Sequence, residues 1–385
     1  MLAQPVREIP SEGSFLYEPK WDGFRAIVFR DADGVFLQSR DGKPLDRYFP
    51  DLHETLKRVL PAHCVLDGEI VIATSRGLDF DALQLRLHPA ASRVAKLAAD
   101  SRASFVAFDV LAAEGRSVMD VPQAERRAML ERLLRGVSPP VHLTPMTREP
   151  EVARRWLREF EGAGLDGIVA KPVGSAYVPG KRVMIKVKHV RTADCVVAGF
   201  RWYKQREDAV GSLLLGLFDE ADVLHHVGVA SAFPMQTRRN LALLLEPLRT
   251  GALEHHPWRD WQATAAHAGM RMPGGQSRWS AGKDPSWEPV RVERVCEVEY
   301  DHLQNDRFRH AARFLRWRAD KPAMSCRYDQ IEVATPFALA QVFGTGGEAL
   351  SRRGVTTRVQ SSSSTATGKE ASASPRGSRA PSRSA

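Results

Sequence analysis

The distribution of hydrophobic and polar positions divides the chain into two structured regions. In the first 190 residues, FRAIVFRD and GVFLQSR alternate hydrophobic and polar side chains around Asp33-Gly34, a pair typical of a hairpin turn. Further strands are predicted from short hydrophobic runs: CVLDGEIVIA, SFVAFDVLA, DGIVAKP and RVMIKVKH. Helical spacing occurs in PDLHETLKRVL, VPQAERRAMLERLL and EPEVARRWLREFEG. The pattern predicts an α+β domain with an antiparallel sheet over residues 1–190.

A second region begins after a break near residues 189–192. Five strand-like runs follow: CVVAGFRW, SLLLGLFD, VLHHVGVA, VCEVEYDHL and RFLRWRAD. One helix-like segment, MQTRRNLALLLEPL, interrupts them. Several short strands with glycine-containing corners predict a small barrel or sandwich over residues 191–335.

The C-terminal segment, residues 346–385, has a different composition. It is rich in Ser, Ala, Arg and Pro, and its seven Lys/Arg against two Glu give it a charge of +5, out of +9 for the whole chain. Such a segment buries too little hydrophobic surface to offset the entropy of ordering, so we expect a disordered basic tail. A solubilising role and a weak, salt-sensitive tether to a phosphate backbone both fit this composition.

Composition restricts the cellular setting. No hydrophobic run is long enough to span a bilayer, and MLAQPVREIPSEG lacks the hydrophobic core of a secretory signal. The four cysteines are scattered without a C-x-x-C pair, which argues against a disulfide framework or a zinc site. We therefore expect a protein of the reducing cytoplasm with no membrane partner.

Candidate chemistry begins at Lys20, in YEPKWDGFR. An amine attacks only when unprotonated, and a lysine of ordinary pKa is neutral in about one molecule in a few thousand at pH 7. A nucleophilic Lys20 therefore needs neighbouring cations that disfavour its charge, and Arg25 is close in sequence. Lys186 and Lys188 in MIKVKH are two residues apart, so a strand presents both on one face, as an anion such as phosphate requires. The alternative is a solvated edge strand with protective lysines.

Carboxylates and one aromatic recur in similar hydrophobic frames. LDGEIV presents Asp67 and Glu69 on one side of a strand, and LDGIVAKP places Asp166 in a comparable setting. Burial of such an acid is costly unless it binds a cation, whereas a strand-end carboxylate facing water is the common alternative. Phe108 in FVAFD is either a core residue or a ring on which a base stacks.

The series of motifs, in order, indicates nucleotide chemistry. KWDGFR, SRDGK, DGE, FD, DGIVAK and IKVK occur within one 170-residue stretch. Together they supply a nucleophile, cations for phosphates, acids for a metal and a stacking ring. A protein needs these groups to attack the α-phosphate of a nucleotide and to hold the resulting adduct.

This series resembles the motifs of the covalent nucleotidyltransferases, and most closely those of bacterial ATP-dependent DNA ligases of the LigC/LigD-like repair type. EPKWDGFR, SRDGK, LDGEIV, FVAFD, DGIVAK and MIKVK match successive motifs, and RFLRWRADK is similar to the last one. The resemblance covers roughly residues 14–330. It implies an α+β adenylation (nucleotidyltransferase) domain with antiparallel sheets, followed by a C-terminal OB-fold β-barrel and the disordered tail. With only nineteen residues before Lys20, we expect a stand-alone ligase.

The resemblance also implies roles. Lys20 is the nucleophile that forms lysyl-AMP, and Asp22 aids the final phosphodiester step. Glu18 contacts the adenine edge and Phe108 stacks on the ring. The remaining assignments are Arg25 and Arg40 for ribose and phosphates, Glu69 for ribose or a metal-bound water, Asp166 for the metal in place of the usual glutamate, Lys186 and Lys188 for the α-phosphate, and Arg318 and Lys321 for the pyrophosphate when the second domain closes.

The implied activity is sealing of nicks in duplex DNA with ATP and Mg²⁺ or Mn²⁺, in DNA repair, by a monomer with other repair proteins as candidate partners. RWYKQR, residues 201–206, is either a nucleic-acid-binding face of the barrel or an ordinary turn with exposed charges. Three alternatives stay open: an RNA ligase, a GTP-using capping enzyme, and a DNA end-binding module without catalysis.

Overall fold

The computed structural model describes residues 1–75, 77–204, 206–260, 286–301, 303–304, 306–331 and 334–344. All of them belong to one compact unit, Met1–Gly346. The predicted tail, residues 346–385, lies outside the described residues. No helix in the described ranges combines the length and hydrophobicity needed to cross a bilayer.

Two sheets form the N-terminal half of the fold, and the described residues include seven α-helices. The strands of these sheets are Leu2–Val6 (β1), Phe15–Lys20 (β2), Phe24–Arg30 (β3), Val35–Ser39 (β4), Cys64–Thr74 (β5), Gly77–Leu78 (β6), Ala103–Ala113 (β7), Arg116–Ser117 (β8), Val141–Leu143 (β9), Gly167–Pro172 (β10) and Arg182–Lys188 (β11). The helices are Pro50–Val59 (α1), Phe80–Leu85 (α2), Ala91–Asp100 (α3), Gln123–Leu133 (α4), Pro150–Glu159 (α5), Met235–Leu245 (α6) and Leu339–Gly344 (α7).

The larger sheet has the order β4-β3-β5-β7-β8, with β6 beside β5 and β9 beside β7. The predicted hairpin around Asp33-Gly34 is confirmed, because β3 and β4 pair antiparallel from Ala26↔Ser39 to Arg30↔Val35. The smaller sheet has the order β1-β11-β10-β2. The prediction of antiparallel sheets is wrong for two pairs, since β1 runs parallel to β11 and β9 parallel to β7.

The position of β11 in the smaller sheet decides between the two interpretations of the MIKVKH segment. β11, which carries Lys186 and Lys188, lies between β1 and β10 and is not an edge strand. The edge-strand interpretation of MIKVKH is therefore wrong. The missing signal was β1, whose LAQPV segment is mostly exposed and does not show the pattern of a buried strand.

Two glycines, one just before β3 and one at the start of β10, allow neighbouring strands to approach closely. A Cβ added at Gly23 would lie 2.2 Å from the Ile70 carbonyl oxygen, so only glycine lets the turn after Lys20 approach β5 this closely. Gly167 has φ +141°, and a Cβ there would lie 2.0 Å from the Val187 carbonyl oxygen. Both glycines of the Asp-Gly pairs in KWDGF and DGIVAK thus permit backbone approach beside Lys20.

A five-stranded closed barrel forms from the second region, in the order β12-β13-β14-β18-β15. Its strands, with a small hairpin of β16 and β17, are Arg191–Tyr203 (β12), Arg206–Phe218 (β13), Leu224–Ser231 (β14), Glu288–Tyr300 (β15), Leu303–Gln304 (β16), Arg307–Phe308 (β17) and Ala312–Trp317 (β18). Alternating inward residues of these strands build a core that includes Val196, Phe200, Leu214 and Val298. The predicted barrel is confirmed.

After the barrel, the chain returns to the N-terminal half. Leu339 and Val342 of α7 are buried in the hydrophobic cluster that contains Trp21, Trp156 and Phe160. The Phe343 ring stacks on Trp21 at 5.1 Å and on His142 at 3.9 Å. A short C-terminal helix therefore packs against the residue that follows Lys20.

Candidate active site

A pocket of about 370 Å³ opens where the two N-terminal sheets meet. It is lined by residues that the sequence assigned to the nucleotide: Glu18, Lys20, Arg25, Arg40, Glu69, Phe108 and Lys186. β2 supplies Glu18 and Lys20, which are two apart and therefore share a face of the strand. Apart from Arg318, Lys321 and the metal-only Asp166, nine residues were assigned to catalysis or nucleotide binding. Seven of them line this pocket, and the other two, Asp22 and Lys188, lie outside its lining.

Lys20 is anchored by an acid from the neighbouring strand end. Its Nζ lies 2.5 Å from Asp166 Oδ2, and the Asp166 amide donates to the Lys20 carbonyl at 2.9 Å. Lys188 Nζ approaches the same carboxylate oxygen at 3.0 Å. Burial opposes ionisation of Asp166, but the two ammonium groups hold its pKa well below the ordinary value. The Asp166 carboxylate thus bridges two of the predicted catalytic lysines.

This arrangement differs from the sequence expectation in one respect. Cations were expected to surround Lys20, yet the charge closest to its Nζ is the Asp166 carboxylate. Lys186 does line the same pocket. Its pKa is lowered mainly by burial and further by the nearby charges of Lys20 and Lys188. Lys20 is therefore paired with Asp166, and it must leave this carboxylate to act as a nucleophile.

Arg25 is fixed by an acid that the sequence had placed on the same side of β5 as Glu69. Its Nε and Nη2 donate to Asp67 at 3.0 and 2.6 Å, and Tyr177 donates to Asp67 at 2.9 Å. Asp67 is fully buried, so this bidentate pair sets the direction of the Arg25 guanidinium. The alternative of a solvent-facing strand-end carboxylate is wrong for Asp67.

Phe108 lies at the pocket and not in the core. Its ring is partly exposed, with Lys171 Nζ 5.0 Å and the Arg25 guanidinium 5.7 Å from its centroid. The next residue, Asp109, is buried and binds Arg126 at 2.9 Å. The core interpretation of Phe108 is therefore wrong, because the ring is partly exposed and lines the pocket, the position that base stacking requires.

Glu69 is the second acid beside Lys20. Burial raises its pKa to about 7, and the charges of Lys20 and Arg25 oppose that rise. No three His, Cys, Asp or Glu side chains of the described ranges group closely enough to cage a metal. Mg²⁺ commonly binds through one or two carboxylates together with substrate phosphates, which Glu69 and Asp166 fit better than an all-protein site.

Besides Lys188 and Asp166, three predicted residues lie outside this pocket. Asp22 lines a neighbouring cavity of about 740 Å³ and forms an ion pair with Arg309. Arg318 and Lys321 bind Asp194 at 2.9 and 2.5 Å and line a separate cavity of about 180 Å³ on the barrel. Their sequence-assigned contact with ATP requires the second domain to move.

The Asp22–Arg309 pair joins the barrel region to the N-terminal half. The Arg309 guanidinium also lies 3.7 Å from the Phe80 ring centroid, and burial lowers its pKa to about 10. Lys188 makes a second such link, with its Nζ 3.7 Å from Asp301. Sequence reasoning missed Arg309, because no local pattern links it to an acid 287 positions earlier.

The RWYKQR segment forms a corner between β12 and β13, with residue 205 outside the described residues. Two of its aromatic rings carry cations from elsewhere on the barrel. The Arg238 guanidinium lies 4.3 Å from the Tyr203 ring centroid, and that of Arg249 lies 5.6 Å from Trp202. This corner thus combines basic and aromatic groups, the combination that proteins use to contact single-stranded nucleic acid and its phosphate backbone.

Comparison with known proteins agrees with this geometry. Residues 1–188 match the ATP dependent DNA ligase domain, and residues 206–321 match the ATP dependent DNA ligase C terminal region. The chain is 54% identical over 334 residues to DNA ligase C2 of Mycolicibacterium smegmatis, covering 86% of this chain and 93% of that protein. It is 52% identical over 349 residues to DNA ligase C of Mycobacterium tuberculosis, covering 89% and 96% respectively.

A solved structure supports the fold. The structure titled "DNA binding with a minimal scaffold: Structure-function analysis of Lig E DNA ligases" superimposes with a TM-score of 0.51 and 16% identity. It covers 83% of this chain and 100% of that one. At this identity the likeness concerns the architecture alone, a two-sheet N-terminal half followed by a barrel.

Proposed function

Because the chain belongs to the ATP-dependent DNA ligase family, we propose that it seals nicks in duplex DNA through a lysyl-AMP intermediate on Lys20 and a DNA-adenylate. The observation that carries this proposal is the environment of Lys20 Nζ. It lies in the pocket lined by Phe108, Arg25 and Lys186, on a carboxylate that it shares with Lys188. A stacking ring, phosphate-binding cations and a nucleophile therefore converge on one site.

The first step is attack of the Lys20 amine on the α-phosphorus of ATP. Lys20 leaves Asp166 and loses its proton, a Nζ–P bond forms, and pyrophosphate departs. Phe108 stacks on the base, while Arg25, held by Asp67, contacts ribose or phosphate. Lys186 and Lys188 neutralise the α-phosphate as charge develops, which is the main source of rate in phosphoryl transfer.

Arg318 and Lys321 complete this first step only after a rearrangement, because both bind Asp194 on the barrel in the structure. We propose that the barrel turns toward ATP to bring them to the pyrophosphate and turns away again for DNA. Glu69 and Asp166 would hold the divalent cation, Mg²⁺ or Mn²⁺, which neutralises phosphate charge when bound with ATP.

Two further transfers complete the reaction. AMP moves from Lys20 to the 5′-phosphate of the nick, near Arg40, whose side chain is two-thirds exposed at the pocket rim. The 3′-hydroxyl then displaces AMP and forms the phosphodiester bond, a step we assign to Asp22. We propose that the corner at Trp202 and Tyr203 contacts the DNA.

The wider setting is also proposed. The motif series is of the repair type, so we place the enzyme in DNA repair, as a cytoplasmic, nucleoid-associated monomer whose partner is nicked duplex DNA. Residues 1–190 constitute the adenylation domain and 191–335 the OB-fold domain. These limits agree with the crossing from β11, which ends at Lys188, to β12, which begins at Arg191.

The experiment incubates the protein with α-labelled ATP or GTP and Mg²⁺ and resolves it on a denaturing gel. We expect retained label from ATP, and none in Lys20→Ala. Nicked duplexes with DNA or RNA strands then identify the polymer, with sealing of the DNA nick expected. Absence of retained label from either nucleotide contradicts the proposal and favours a binding module.

A further inference from the structure

Two buried, oppositely charged residues, Glu18 and Lys171, form part of the lining of the nucleotide pocket. Lys171 of β10 is 2% exposed, and its Nζ lies 2.7 Å from Glu18 Oε2. The same Nζ donates to the Phe108 carbonyl oxygen at 2.6 Å and lies 5.0 Å from the centre of the Phe108 ring. One ammonium group therefore contacts both residues assigned to the base.

The position of Lys171 follows from strand pairing. β10 and β2 are antiparallel, with Val169 opposite Glu18 and Lys171 opposite Leu16. Lys171 and Glu18 are thus diagonal neighbours on one face of the sheet, within reach of long side chains. Arg127 of α4 approaches Glu18 from another direction, at 3.4 Å.

The charge of Glu18 decides which base edge it can bind. An ionised carboxylate only accepts hydrogen bonds, whereas a protonated one also donates. Adenine presents an amino group at its six-position, which donates, and guanine presents a carbonyl oxygen there, which accepts. An acceptor-only Glu18 therefore suits adenine and leaves the guanine oxygen facing a negative charge.

Two cations, Lys171 and Arg127, favour the ionised form of Glu18. The side chain is 2% exposed, so burial raises its pKa, and the charges of Lys171 and Arg127 oppose that rise. The negative charge of Asp109 on β7 also raises the pKa of Glu18, in the same direction as burial. Lys171 is the closer of the two cations, so its removal leaves the more distant Arg127 to oppose the effect of burial.

We propose that Lys171 determines base specificity as a positioning residue: it keeps Glu18 an acceptor-only carboxylate and fixes Phe108 beneath the base, so that the pocket selects adenine over guanine nucleotides. This inference rests on the proposed function, since it concerns the ATP pocket of the same site. Lys171 itself takes no part in the transfer.

The experiment measures lysyl-nucleotide formation with labelled ATP and GTP as a ratio of kcat/KM values. Lys171→Gln keeps a donor of similar length but removes the charge. We expect it to lower the ATP-to-GTP ratio about 5- to 150-fold, as one well-placed base contact of about 1–3 kcal/mol implies. Lys171→Arg, which keeps the charge, should restore part of the ratio. Lys57→Gln, an exposed lysine on α1, is the matched control and should keep the wild-type ratio.

Glu18→Gln provides an independent arm if Lys171→Gln does not fold. Its amide both donates and accepts, and Lys171 stays on the Phe108 carbonyl, so the ratio should fall similarly. A wild-type ratio in either folded variant overturns the inference. If the wild-type protein retains no label from ATP, the proposed function fails instead, so the two failures are distinguishable.

Discussion

Replacing Phe108 by alanine separates nucleotide binding from core packing. The ring is partly exposed at the pocket, and it makes cation–π contacts with Lys171 and Arg25 at 5.0 and 5.7 Å. Loss of base stacking is worth about 1–3 kcal/mol, so the ATP concentration for half-maximal adenylation should rise about 5- to 150-fold. The free energy of unfolding should fall by only about 1 kcal/mol, the value of two cation–π contacts.

Phe105→Ala is the matched control on the same strand. Phe105 is fully buried three residues earlier on β7, and its ring lies where a Cβ on Gly68 would be, at 2.4 Å. Its loss should cost about 3–5 kcal/mol of stability. Both variants are measured by urea unfolding and by label retention against ATP concentration. A Phe108→Ala protein with the unfolding loss of Phe105→Ala and an unchanged ATP dependence would refute the placement of Phe108 at the base.

The remaining predictions concern three charged groups. Asp166→Asn should cost about 3 kcal/mol in urea unfolding at pH 7, the lower end for breaking a buried pair because Lys20 and Lys188 are 22% and 29% exposed, and an unchanged midpoint would contradict the bridge. Arg309→Ala should increase the radius of gyration in X-ray scattering by freeing Asp22, whereas Arg316→Ala, whose partner Glu297 lies on the barrel, should not. Burial lowers the pKa of His142 to about 4, so stability should fall by about 3 kcal/mol as pH drops from 6.5 to 4, because the unfolded chain binds the proton more readily; His142→Gln should lack this part of the pH dependence.

Local pattern predicted most elements of this fold. Strand alternation and proline-initiated helices identified β3, β4, β5, β7, α1, α4 and α5, because the signal for each lies within its own residues. The elements missed include β1, β9, α2, α3 and α7. β1 is largely exposed and pairs in parallel with β11 about 180 residues later, and α7 is only six residues long. The packing of α7 on Trp21 depends on the return of the chain from the barrel to the N-terminal half, which no local pattern predicts.

The candidate site divides in the same way. The resemblance to the ligase motifs assigned Glu18, Lys20, Glu69 and Lys186 to one site, and all four line the same pocket. The resemblance could not predict which charges pair. The attachment of Lys20 to Asp166, of Arg25 to Asp67 and of Arg318 to Asp194 depends on distances between strands far apart in sequence. Lys171 was visible in DGIVAKP, but its burial against Glu18 appears only once β10 lies beside β2.

The most direct measurement identifies the residue that carries AMP. The protein is incubated with ATP and Mg²⁺, digested, and its peptides are mapped by mass spectrometry. AMP is expected on the Lys20 side chain, and Lys20→Arg should carry none. AMP attached to Lys186, Lys188 or another residue, with Lys20 unmodified, would contradict the assignment of the nucleophile.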